Sequence, residues 1–298
     1  MRADTPPFGR IRSVNMRRIT TSRRVRGEAF VRALPAAALI LGLTAMPHAA
    51  FAKPEPGKVY GALSGGTEFP IGGNVHDGAI APVPNLGPLN PALTGVAADL
   101  RVEKRSQQDI YKNPYNLALE LGYGVSTSGE VFGSVRRTIS RTGKAQVGNA
   151  VITTTAAGAP AVGTALPIEG TFGRYKAVNL ELGYRQYLGE GTVQPYGAVR
   201  GGIGFVDKVN ASFAIPAAAI TINNAAFYKP STVFSGGLDL GLSFDLSEKV
   251  ALQAETGLRY SSKLRGDDSA LTGLGLQNIN NKGDRLSVPV TVKLRVGF

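Results

Sequence analysis

The chain has 298 residues, 43% of them hydrophobic, with no Cys and no Trp, so disulfides and thiolate metal or redox centres are excluded. Its formal net charge of +12 is concentrated at the start, because residues 1–52 hold nine Arg against Asp4 and Glu28. The remaining 246 residues carry 24 basic and 19 acidic side chains, a net of +5, which gives no argument for nucleic acid.

The first element is an export address. The Arg-rich stretch is followed by the apolar run Ala33 to Met46 and then by Ala50-Phe51-Ala52, a small-residue cleavage pattern. Fourteen apolar residues are too few for a membrane-spanning helix. The predicted division is a signal peptide over 1–52, cleaved after Ala52, and a single domain over 53–298. Met1 and Met16 both stand as candidate start residues.

Two-residue alternation then recurs eight times. The first strand, Lys58 to Gly66, is Gly-rich and weakly marked. The second sets Tyr115, Leu117, Leu119, Leu121 and Tyr123 against Asn116, Ala118, Glu120, Gly122 and Gly124. In the third, Glu130 to Arg141, Val131, Val135 and Ile139 are in phase, but the adjacent pair Arg136-Arg137 leaves the facing undecided. The fourth alternates Val178, Leu180, Leu182 and Tyr184 with Glu181 and Arg185. In the fifth, Val193 to Asp207, Arg200 opposes Val199 and Ile203, with a bulge expected at Gly201-Gly202. The sixth places Phe234, Leu238, Leu240 and Phe244 against Asp239, and the seventh places Leu252, Leu258 and Tyr260 against Glu255 and Arg259. In the last, Arg285 to Phe298, all seven even-numbered positions are apolar, and Lys293 and Arg295 lie between them.

The connections after strands two, four and six are about four residues long; the others run roughly twenty to forty, unusual in a compact soluble domain. Alternation alone also suits a lipocalin-like soluble barrel with the apolar set inside. Aromatic placement favours the opposite facing. Tyr123, Tyr184, Phe244 and Phe298 lie near the short turns, and Tyr115, Phe205, Phe234 and Tyr260 lie toward the long loops. Two such rings, separated by roughly 20 to 25 Å of tilted strand, match the girdles of a membrane barrel. The predicted fold is all-β, an eight-stranded antiparallel up-and-down transmembrane β-barrel with short periplasmic turns and long extracellular loops. Its interior would hold a charge network of Glu120, Glu181, Arg185, Arg200, Asp239, Glu255, Arg259, Lys293 and Arg295, paired because a narrow barrel makes an unpaired charge costly.

The last strand, ending on Phe298, resembles the terminal strand of bacterial outer-membrane β-barrels of the OmpA-like and opacity-type eight-stranded family. In that family the terminal strand is read by the barrel-assembly machinery. Thr291 and Phe298 fit the signal, Lys293 stands where the family has Gly, and Val296 replaces the first aromatic. The resemblance implies a non-enzymatic protein of the cell outer membrane, exported by a cleaved signal peptide, with a structural or surface role. The implied partners are outer-membrane lipid and lipopolysaccharide, the assembly machinery acting on Val296 and Phe298, and a host or cell-surface ligand at the loops. The chain ends on the eighth strand, so no following peptidoglycan-binding domain is expected.

Two alternatives accompany that reading: a narrow gated pore in which an Arg exchanges between carboxylates, and a loop-mediated adhesin. No catalytic, cofactor-binding or metal residue is expected. His76, beside Asp77 in the first long loop, resembles the loop His of outer-membrane acyltransferases but is better read as a solvated loop residue. Val151 to Thr155, the Ala-rich segment after it and Ala211 to Phe227 are apolar for surface loops. They are expected to extend the strands as hairpins or to offer contact to a partner.

Overall fold

A computed structural model describes residues 54–298. The predicted signal peptide therefore lies outside the described residues. Eight long strands form a closed barrel: β1 (Val59–Gly72), β6 (Tyr115–Gly124), β7 (Gly129–Ile139), β10 (Lys176–Tyr187), β11 (Val193–Val206), β14 (Ser231–Asp245), β15 (Val250–Ser261) and β16 (Arg285–Gly297). Each pairs antiparallel with its sequence neighbour in the barrel, and β1 pairs with both β6 and β16, which closes the cylinder and leaves no unpaired edge. Residues 125–128, 188–192 and 246–249 make the short turns, and the chain ends beside them, with Gly297 opposite Tyr60.

The apolar phase of each strand faces out. Leu119 is 64% exposed and Leu182 is 75% exposed, next to buried Glu120 and Glu181. A surface of this kind suits hydrocarbon, as does a barrel whose backbone groups are all satisfied within the wall. Of the predicted girdle residues, Tyr115, Tyr123, Tyr184, Phe205, Phe234, Tyr260 and Phe298 are exposed on that face, and Phe244 is half-buried.

Three boundaries differ from the sequence reading. β1 continues six residues beyond Gly66, with a register shift between Pro70 and Gly72. The register of β11 with both neighbours runs unbroken through Gly201 and Gly202, so no bulge is present. Gly202 instead allows close strand approach, since a Cβ there would meet the Leu180 carbonyl oxygen at 1.9 Å. The third difference concerns the long loops, which build a second folded layer.

The first long loop contributes β2 (Asn74–His76), β3 (Ala79–Val83), β4 (Ala97–Val102), β5 (Arg105–Ser106) and one helical turn, Gln107–Ile110. The second gives the hairpin β8 (Gly143–Thr154) and β9 (Ala165–Phe172), and the third gives β12 (Val209–Ile215) and β13 (Ile220–Tyr228). These hairpins join into one six-stranded sheet in the order β13-β12-β9-β8-β4-β3. The fourth loop covers it with Leu264, Leu271, Leu276 and Ile279 and is tied down through Asp77 N–H to Ile279 O (2.8 Å) and Gly283 N–H to Asn74 O (2.7 Å). The result is a cap with an apolar core of its own, including Val75, Ile152, Phe172, Ile220 and Phe227.

The cap changes the reading of the apolar loop segments. Ile152, Ala211, Ile215, Ala218, Ile220 and Phe227 are buried in its core and are not available to a partner. His76 is likewise no solvated residue; it is 1% exposed, stacked 5.8 Å from Phe172 and edge-on to Phe227. Pairing of β2 with β5 carries the ring into the cap core.

Candidate functional site

The inward positions of the barrel form a single ionic core. Alternation fixes which side chains enter it, and closure at eight strands leaves an interior that side chains fill. All nine predicted charges lie there and are buried. Glu68 on β1, Glu130 and Arg136 on β7, Asp245 on β14 and Arg285 on β16 join them, which gives seven carboxylates and seven cations.

The ion pairs follow one another from one end of the barrel to the other. Near the short turns, Arg295 Nη2 lies 2.9 Å from Glu130, which also pairs with Arg185. Arg185 reaches Glu120 at 2.8 Å, with its guanidinium between the rings of Phe132 and Tyr196 (4.7 and 5.1 Å). Lys293 Nζ then bridges Glu120 and Glu255, at 3.0 and 3.2 Å. Glu255 meets Arg200 at 3.3 Å and Arg259 at 3.5 Å, and both of these pair with Asp239. Arg200 also reaches Glu181 at 3.6 Å; Glu181 pairs with Arg136, Arg136 with Glu68 (3.8 Å), and Glu68 with Arg285 (2.6 Å) under the cap.

Tyrosines complete the ladder. Tyr60 donates to Glu120 (3.2 Å) and accepts from Arg185 (3.1 Å), and Tyr187 accepts from Arg295 (2.6 Å). Their size requires small residues opposite: a Cβ at Gly122 would lie 2.0 Å from the Tyr60 ring, and one at Gly241 would lie 2.2 Å from the Tyr196 ring. A pocket lies at each end of the ladder. One of about 30 Å³ lies at the cap end beside Glu68, Arg136 and Arg285, and one of about 370 Å³ lies at the other end beside Tyr60 and Arg295. Arg185 lines neither.

Such an interior can hold a barrel shut, because most of its charges contact two or more of opposite sign and swinging one out would leave its partners less compensated in a low-dielectric space. His76 lies in the cap; its Nδ1 is 3.1 Å from the carbonyl oxygen of Asp77, and burial lowers its pKa below the ordinary value. Among the described residues no His, Asp or Glu group has metal-binding spacing.

The residues that sequence reading missed have identifiable causes. Arg136 and Arg137 are both charged, so their identities do not show which faces in; the phase of Val131, Val135 and Ile139 does, and Arg136 is the inward one. Glu68 falls beyond the Gly-rich segment taken as the first strand. At the terminus, Val296 is half-buried and Phe298 is 70% exposed on the outer wall.

No protein-family model matches the chain, and no curated protein matches it. Among solved structures it is similar to Neisserial surface protein A, at 12% identity over 80% of this chain and 97% of that one, with a TM-score of 0.39. It is also similar to Ail, the attachment invasion locus protein of Yersinia pestis (15% identity, 82% and 99% coverage, TM-score 0.36). A third is the outer membrane protein OprG of Pseudomonas aeruginosa (15%, 83% and 99%, 0.30). The architecture itself stands on the register of the strands, and by that register the chain is a closed, eight-stranded, antiparallel up-and-down β-barrel of the kind its resemblance to eight-stranded outer-membrane barrels implied.

Proposed function

We propose that the chain is a non-enzymatic integral β-barrel of the cell outer membrane, with a structural and surface role and an interior closed by its ionic core. The observation that carries this is the unbroken succession of ion pairs from Arg295 to Arg285, inside a wall whose outer face is leucine-rich. Arg200 contacts Asp239, Glu255 and Glu181 together, at 2.5, 3.3 and 3.6 Å, so moving it toward one would give up the others. That weighs against a gate in which it alternates between two partners. The folded cap supplies the surface element, and β16 with Val296 and Phe298 is the segment offered to the assembly machinery.

The test is a pair of measurements on the purified mature protein. A heat-modifiable band on a detergent gel is expected for the folded barrel, and planar bilayers are expected to show no unitary conductance steps. Steps in the wild type that change on Arg200→Ala would replace the closed barrel with a gated pore. Solubility of the folded protein in water without detergent would remove the membrane reading altogether.

A further inference from the structure

The core of the cap is not completely filled. A cavity of about 50 Å³ lies between Leu100, Ile168 and Phe213 of the six-stranded sheet and Leu271 and Leu276 of the fourth loop. That is several times the roughly 10–15 Å³ that admits one water molecule. His76 is the one lining residue with a polar side chain; all the others are aliphatic or aromatic.

The imidazole brings an unmet hydrogen-bonding group to this lining. Nδ1 lies 3.1 Å from the Asp77 carbonyl oxygen, and a carbonyl only accepts, so Nδ1 carries the hydrogen and Nε2 keeps a lone pair. Nε2 is buried and meets no donor in the protein. A buried acceptor without a donor is costly, and a void deprives the side chains around it of contacts. Water repairs neither deficit, because a buried water needs about two to four polar partners and would find Nε2 alone.

Both deficits describe the same guest. Its body must be apolar to fill the space, and it must offer one hydrogen to Nε2. It must also be neutral, since a carboxylate or an ammonium would lose its hydration with no counter-charge in the lining. An amide would bring a carbonyl that no donor meets. A hydroxyl satisfies these conditions. The fourth loop supplies the way in, because the backbone hydrogen bonds of residues 268–277 close within that segment, and it can lift from the sheet without breaking a ladder.

We propose that the cap cavity binds a small neutral molecule with an apolar body and a single hydroxyl, which donates to Nε2 of His76. The site lies wholly within the cap core, so it stands or falls independently of the outer-membrane reading.

The chain from residue 53 onward has His76 as its one histidine, so labelling the histidine nitrogens makes that ring the sole reporter. The folded mature protein in detergent is titrated with n-butanol and with its isomer diethyl ether, which has no hydrogen to donate, and affinities are read by saturation-transfer NMR. Butanol should shift the Nε2 resonance saturably and bind about tenfold more tightly than the ether. Ile222→Phe, at a half-buried lining position on the edge strand β13, should fill the space and abolish the shift, whereas Val162→Phe on the cap surface should leave it intact. His76→Phe should take the two isomers alike. Equal affinity of the wild type for both isomers, or the absence of a saturable shift, would overturn the proposal. A Nε2 resonance already hydrogen-bonded before any ligand is added would do so too, and would assign the nitrogen to a trapped water. Protease resistance of the loops is measured first for each variant; should Ile222→Phe unfold the cap, the comparison of isomers in the wild type decides alone.

Discussion

In the barrel, Leu119, Leu182 and Leu240 face out while Glu120, Glu181 and Asp239 face in; in the cap, Ile152, Phe172 and Phe227 face in while Thr153, Glu169 and Thr221 face out. Both layers are antiparallel sheet, and in both a side chain's direction follows from the two-residue period. What differs is the medium outside. Against hydrocarbon, apolar groups gain nothing by turning inward, and ions must find each other in the interior. Against water, the same apolar groups are driven together, about 25 cal/mol for each Å² removed. The cap therefore holds together by burial and the barrel by backbone closure and charge compensation.

The contrast can be tested at single residues. The largest effect is expected from Arg185→Ala, which leaves Glu120 with Lys293 alone and Glu130 with Arg295 alone in the barrel and should cost roughly 3–5 kcal/mol, read as an earlier loss of the heat-modifiable band in urea. Phe227→Ala should cost a similar ~3–5 kcal/mol, but in the cap alone. Limited proteolysis of the loops should speed up while the band shift stays, and loss of the band together with the cap would show that the two layers unfold as one. Leu182→Arg, on the outer wall, is expected to destabilise the inserted barrel by ~2–4 kcal/mol. A neutral result at that exposed site would instead indicate a wall that faces water.

The smallest effect concerns pH. Burial among Phe172 and Phe227, with Arg105 nearby, lowers the His76 pKa below the ordinary 6.5, and the Asp77 carbonyl opposes this only in part. The unfolded cap then binds a proton that the folded cap refuses, so cap stability falls as pH drops through 6.5 toward the folded value, by up to ~1.4 kcal/mol per pH unit. Protease resistance of the loops should decline over that window in the wild type and stay level in His76→Leu. An unchanged decline in the variant would assign it to other groups.

Much of the barrel was legible because each strand states its facing locally: a residue's neighbours two positions away share its side, so Glu120 or Asp239 can be placed from a few letters. The cap was not. Its strands are as short as the two residues of β5, and the partners that bury His76, Phe172 and Phe227, are 96 and 151 positions away. Nothing within the first loop distinguishes a His bound for a core from one left in solvent.

The six-stranded sheet spans three separate loops, with β8 pairing to β4 on one side and β9 to β12 on the other. The middle hairpin is the keystone, so deleting it takes away the seat of both flanking hairpins, and none of the three can be trimmed as an independent loop.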